Sequence, residues 1–172
     1  MTTERLIEHR AAMLADYQDT ALAQRYRDLV RRAQVADASA GAHGKLVRAV
    51  AHNYAKVLAY KDEYEVARLF TDGRFADSLK RDFTGVKRMT FHMAPPFLSG
   101  TDSNGRPRKR NFGPWILPVM RLLAKGKRLR GSALDPFGYG AERREERAAI
   151  VTYEADCDIV FRRLEAGNLG IA

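Results

Sequence analysis

Val86-Lys-Arg-Met-Thr-Phe-His-Met93 is the stretch that decides the fold class. Here the hydrophobic period drops from helical spacing to strict alternation. Val86, Arg88, Thr90 and His92 alternate with Lys87, Met89, Phe91 and Met93, so the spacing predicts a strand with Met89, Phe91 and Met93 on one face. Pro95-Pro96 ends it, because proline cannot donate to a ladder. Ser99 to Gly105 reads as a turn-rich loop, and Arg106 to Phe112 as the returning strand of a hairpin. The longer segments on both sides of the hairpin have helical spacing. The predicted class is therefore α+β: a mainly α-helical single domain, residues 1–172, with one small β-hairpin.

Upstream, residues 3 to 36 carry Leu6, Ile7, Met13, Leu14, Tyr17, Leu22, Tyr26, Leu29 and Val30 near helical spacing, with Thr3 as a cap and a break placed near Asp16 to Thr20. Asp37 to Gly44 reads as a loop. A second helix is predicted from Lys45 to Phe70, and a short one from Arg74 to Phe83. The stripe of the second contains Val47, Val50, Tyr54, Val57, Leu58 and Tyr64, but also Lys61 and Arg68. Two readings compete for these cations: aliphatic stems passing the core edge, or heads meeting carboxylates or a ligand.

Downstream, Gly113-Pro114 opens a helix that Pro118 should kink or delay. Lys125 to Gly131 is a basic exit, and Leu134 to Gly138 a turn. A last helix is predicted from Ala141 to Glu165, with Gly167 at its end. No repeat or low-complexity segment interrupts this order.

Motifs for chemistry are scarce. No glycine-rich dinucleotide loop follows a strand, and no phosphate-binding loop occurs. His9, His43, His52 and His92 are scattered and form no metal-binding spacing. Cys157 is the only cysteine, so an internal disulfide, a cysteine-based zinc site and an iron–sulfur cluster are all excluded within this chain. It lies on an apolar stripe and reads as a buried structural thiol. Ser78, Ser99 and Ser132 have no activating context. The neighbouring carboxylates Asp62-Glu63 and Glu145-Glu146 point different ways on a helix and read as solvated faces, and the second pair sits among Arg143, Arg144 and Arg147, a pattern of surface ion pairing.

The charge is uneven. Between Lys80 and Gly131, thirteen Lys and Arg face only Asp82 and Asp102, so this stretch carries +11 of a chain whose total is +9. Arg106-Pro-Arg-Lys-Arg110 is its densest run, with Phe112 and Trp115 behind it. Such a patch can contact nucleic acid, another protein, or an anionic small molecule such as coenzyme A, or it is simply a solvated loop. Met1 to Arg10 has charges of both signs and no apolar block, which speaks against a secretory leader. No apolar run approaches the ~20 residues of a bilayer span. A cytoplasmic protein with no membrane partner is expected.

Four blocks carry a resemblance: Ala59-Tyr-Lys-Asp-Glu-Tyr-Glu-Val-Ala-Arg-Leu-Phe70, Thr90-Phe-His-Met-Ala-Pro-Pro-Phe-Leu98, Gly105-Arg-Pro-Arg-Lys-Arg-Asn-Phe-Gly-Pro-Trp115 and Leu129-Arg-Gly-Ser-Ala-Leu-Asp-Pro-Phe-Gly-Tyr139. Together, and over nearly the whole chain, they resemble the C-terminal domain of indolepyruvate-type 2-oxoacid:ferredoxin oxidoreductases. That family oxidatively decarboxylates aryl 2-oxoacids to acyl-coenzyme A and passes electrons to ferredoxin, with thiamine diphosphate, magnesium and iron–sulfur clusters. The resemblance implies that these cofactors lie on other domains or subunits, that this domain carries no cofactor or catalytic residue, and that the chain is an excised part of a longer subunit. It implies as partners the catalytic domains or subunits of the parent enzyme, with ferredoxin or coenzyme A as further candidates. A basic nucleic-acid-binding module is the alternative. Candidate binding or interface residues are the polar and exposed positions of the blocks: Lys61, Asp62, Glu63, Arg68, His92, Arg108, Lys109, Arg110, Trp115 and Asp135.

Overall fold

The computed structural model describes residues 1–95, 100, 103, 106 and 108–169. Among them are seven α-helices and one two-stranded antiparallel hairpin, so the chain is a small, mostly helical α+β protein. The expected loop from Ser99 to Gly105, with Ser99 itself, falls mostly outside the described residues. The contacts group into two compact units, Met1–Tyr60 with Gly138–Ala172, and Lys61–Phe137.

The first unit holds helices α1 (Thr3–Tyr17), α2 (Thr20–Ala40), α3 (Lys45–Leu58) and α7 (Ala141–Arg163). The helical stretch from residue 3 divides into two helices within the expected break at Asp16 to Thr20, because Asp19 leaves the helical conformation and its carboxylate accepts from Leu22 N at 2.9 Å. The α1 cap is Thr2 rather than Thr3, accepting from Arg5 N at 3.3 Å. The core comprises Leu6, Leu14, Tyr26, Leu29, Val30, Val47, Val50, Tyr54, Leu58, Ile150 and Cys157, all buried. Tyr54 sits at its centre, stacked on Tyr26 (6.1 Å between ring centroids) and on Tyr153 (5.5 Å). Burial pushes the Tyr26 and Tyr153 hydroxyls up to about 12.

The segment expected to be a loop from Asp37 to Gly44 begins as helix, since α2 runs on to Ala40 and Gly41 closes it at φ 68°, a conformation that costs a glycine little. Asp37 is buried and its carboxylate reaches forward to the start of α3, accepting from Gly44 N (2.7 Å), Leu46 N (3.0 Å) and Val47 N (3.3 Å). Gly44, the residue preceding α3, has no side chain to do this. Asp37→Ala is expected to cost about 1–2 kcal/mol, as for loss of a strong helix cap. A urea titration checks it, and a loss below about 0.5 kcal/mol would mean that water replaces the carboxylate.

Ion pairs tie the helices along their exposed edges. Arg25 on α2 grips Glu154 on α7 with two hydrogen bonds of 2.7 and 2.8 Å, and Arg32 pairs with Asp158 one turn further along α7. Arg27 reaches Glu8 on α1 at 2.8 Å. Burial alone would raise the Glu154 carboxyl, but hydrogen bonds from Arg25 and Tyr54 outweigh it and hold it below its ordinary value of 4.5. A carboxyl lowered in the folded state stabilises fully above its unfolded value, and that contribution fades as pH falls through the folded one. The melting temperature of the native chain should therefore fall more steeply than that of Glu154→Gln below about pH 4.5. Parallel curves would show that the pair contributes nothing.

The second unit holds α4 (Glu63–Thr71), α5 (Arg74–Asp82), β1 (Phe91–Met93), β2 (Arg110–Phe112) and α6 (Ile116–Lys125), which runs into a 3₁₀ turn at Gly126–Leu129. The helix expected from Lys45 to Phe70 is thus broken at Ala59 to Asp62. Asp62 is extended, and its carboxylate accepts from Glu65 N at 2.8 Å, so a new helix starts after it. The apolar stripe that looks continuous in sequence serves two cores. The strands are shorter than the alternation implies: Phe91 pairs with Phe112, His92 with Asn111 and Met93 with Arg110. Phe91 and Phe112 are buried on one face, and Phe91 meets Phe70 edge-on at 5.3 Å. Of the two expected effects of Pro118, the delayed start holds: α6 begins at Ile116, which puts Pro118 in its first turn, where a missing N–H costs nothing. The last helix ends at Arg163, and Gly167 sits in a following 3₁₀ turn rather than at the helix end.

Candidate functional site

The four blocks place most of their polar residues in the second unit. Among the described residues there, the buried hydrophobic side chains are few: Tyr64, Ala67, Phe91, Phe112 and Met120. Beside them lie three buried charged residues, Asp62, Arg130 and Asp135.

Asp62 and Arg130 form an ion pair in which each side chain is only 3% exposed. Arg130 donates from Nε and Nη2, the latter at 2.8 Å, so the contact is bidentate. The Asp62 carboxylate thereby accepts from one guanidinium and one helix N-terminus. The Arg130 guanidinium also lies 5.6 Å from the centre of the Tyr64 ring, a cation–π distance. Tyr64 donates its hydroxyl to Asp135 Oδ1 at 3.0 Å, and Asp135 further accepts from Gly131 N (3.0 Å) and Phe137 N (3.1 Å). Burial first, and the hydrogen bond to Asp135 second, push the Tyr64 hydroxyl well above its ordinary value. Gly126 lies against this ring so closely that a Cβ there would fall 2.8 Å from Tyr64 Cε1. The 3₁₀ turn, the Arg130–Phe137 segment and the start of α4 are thus held together by one polar network. Its carboxylates accept from internal donors, so the network orders the chain.

Arg68 belongs to a second set. It donates to both Glu65 oxygens, at 2.7 and 2.8 Å, and to Asp72 at 3.4 Å, all from α4 and its end. Of the two readings of the cations on this stripe, Arg68 follows the one in which the head meets carboxylates. Lys61 is exposed in the link before α4 and lies on no helix, so it belongs to neither reading. Glu63 opens α4 half-buried.

The remaining candidates are on the surface. His92 is exposed on β1, Arg108 and Lys109 are exposed just before β2, and Arg110 is exposed on it. Trp115 packs one edge against Phe112 at 5.8 Å yet stays 64% exposed. The structure therefore gathers Asp62 and Asp135 into one buried network and leaves Lys61, His92, Arg108, Lys109, Arg110 and Trp115 facing solvent. Sequence reasoning missed Arg130 and Tyr64, which complete that network. The available signal was Asp62 itself, an N-cap residue just before two acids, which marks a helix start. It also missed the exposed apolar face of α6 described below.

Cys157 is buried on α7, and burial pushes its thiol up, away from reactivity. Among the described residues no group of three His, Cys, Asp or Glu side chains could hold a metal ion, and no helix is long and apolar enough to cross a membrane. A lone thiol supplies one of the four ligands that an iron–sulfur cluster takes.

Comparison with curated proteins and with solved structures yields no match. Residues 3–172 match a family of unknown function, DUF6537, and the chain belongs to that family.

Proposed function

We propose that this chain is a non-catalytic accessory domain, located in the cytoplasm, that helps assemble an indolepyruvate-type 2-oxoacid:ferredoxin oxidoreductase. The parent reaction is the oxidative decarboxylation of an aryl 2-oxoacid to acyl-coenzyme A with reduction of ferredoxin. Thiamine diphosphate, magnesium and the clusters are held by the catalytic subunits, and this domain carries none of them. The four sequence blocks support the parent assignment. The observation that carries the assembly role is how the second unit uses its side chains. Asp62, Arg68 and Asp135 are consumed in internal ties, while among the described residues of this small unit eight large hydrophobics are exposed: Leu69, Phe83, Val86, Trp115, Val119, Leu122, Leu129 and Leu134. A surface of this kind suits a protein partner better than a small substrate.

The test is capture on the tagged chain from native extract at low and moderate salt, with mass spectrometry of what is bound. Recovery of thiamine diphosphate- and cluster-binding oxidoreductase subunits is the expected result. Loss of ferredoxin alone at moderate salt would add carrier docking through Arg108, Lys109 and Arg110. Nucleic acid without any oxidoreductase subunit would overturn the reading in favour of a nucleic-acid-binding module.

A further inference from the structure

Helix α6 has two apolar faces. One is used: Met120 is buried, and Ile116, Leu117, Leu123 and Ala124 are half-buried beside it. The other is not. Trp115, Val119 and Leu122, spaced by four and three residues, lie within about 60° of one another on the helix at 100° per residue. They are 64%, 52% and 72% exposed. A helix with one buried face ordinarily turns polar residues outward, and α6 turns outward a tryptophan, a valine and a leucine.

Arg121 and Lys125 are exposed along one flank of this stripe, one turn apart. They stand in a run of chain from Ser103 to Leu134 that contains nine Lys and Arg and no Asp or Glu. The second unit as a whole has sixteen Lys and Arg against eight Asp and Glu, so it carries +8 of the chain's +9.

We propose that this outward face of α6, with Trp115, Val119 and Leu122 at its centre and Arg121 and Lys125 at its edge, docks a polypeptide surface that is apolar at its centre and acidic along one side. The proposal rests on the assembly reading and names the surface and partner chemistry for it. Charge complementarity selects the partner. A second copy docked through this same face would set Arg121 and Lys125 against their own like charges. A nucleic acid would satisfy the cations but leave Val119 and Leu122 without a counterpart, since base stacking uses aromatic rings. Burial of the stripe supplies affinity, with Trp115 as its largest anchor, and the cationic flank supplies orientation and association rate.

The test uses the full chain and the purified thiamine diphosphate- and cluster-binding subunits of the resembled oxidoreductase, titrated at two salt concentrations. Two variants are compared: Trp115→Ser with Val119→Ser and Leu122→Ser, and Arg121→Glu with Lys125→Glu. Val151→Ser, exposed on α7, is the control. The proposal expects at least a tenfold loss of affinity for the stripe variant. It expects a slower association that no longer depends on salt for the charge variant, and no change for the control. Because the charge variant leaves every apolar contact intact, it keeps the test decisive if the stripe variant unfolds. Native binding by both variants would overturn the α6 surface and leave the assembly reading standing. No binding by the native chain would overturn the assembly reading and the surface with it. A dimer of the native chain that the stripe variant abolishes, seen by sedimentation, would replace the proposed partner with a second copy.

Discussion

Arg130→Ala is expected to destabilise the structure built on α4 and α6 by about 3–5 kcal/mol, because it leaves the Asp62 carboxylate buried without its counter-charge. Asp62 and Arg130 are each 3% exposed, so water cannot take over. The same change strips the cation from the face of Tyr64, whose hydroxyl anchors Asp135. Asp62→Ala should be at least as costly, since Asp62 also caps α4 through Glu65 N. The informative comparison is the double replacement Asp62→Leu with Arg130→Met. Two apolar side chains of similar volume remove both buried charges together, and such exchanges are often close to neutral. The double variant should therefore lose less than either single one, its residual deficit being mainly the cap, about 1 kcal/mol. Urea unfolding followed by circular dichroism, with hydrogen exchange at the amides of α4, reads all three. If Arg130→Ala unfolded within about 1 kcal/mol of the native chain, the guanidinium would be acting as a surface group, and the account of this network would be wrong.

The second large effect is expected at Tyr54. Its ring lies between Tyr26 and Tyr153 in the first unit, and it is fully buried. Tyr54→Ala should cost about 3–5 kcal/mol, the usual range for removing a large aromatic ring from a core, since α3 cannot close the space without moving. Tyr54→Phe keeps the ring and both stacks and removes only the hydroxyl. That hydroxyl donates to Glu154, which Arg25 also holds with two hydrogen bonds. Glu154 thus retains its main partner, and Tyr54→Phe should cost about 1 kcal/mol. The ratio of the two losses separates packing from hydrogen bonding. Equal losses would mean that the polar contact, and not the stack, organises the centre of this core.

Much of the architecture was legible in the residues because it depends on local periodicity. Leu6, Leu14, Tyr26, Tyr54, Ile150 and Cys157 recur at helical spacing, and each is buried on its helix. The switch to alternation at residues 86 to 93, with Pro95-Pro96 after it, located the hairpin and made the class α+β. Cys157 could be read as structural from its stripe alone. The basic character of residues 80 to 131 needed only counting.

What periodicity could not tell is which neighbour each stripe would meet. The spacing from Val47 to Arg68 is unbroken, yet Asp62 turns its carboxylate to the backbone and divides the segment between two cores, a choice made by Arg130, sixty-eight residues away. Asp37 looked like the start of a loop because its role, capping α3 across Gly41 and Gly44, exists only once the chain has turned back. Trp115, Val119 and Leu122 have the same spacing as a core stripe, and only the packed partner on the opposite side of α6 decides that they stay outside. Sequence alone determined the mainly helical class, the hairpin and the charge of this protein. Tertiary structure decided which polar groups are spent holding it together and which surface is left for a partner, because burial and counter-charge depend on residues distant in the chain.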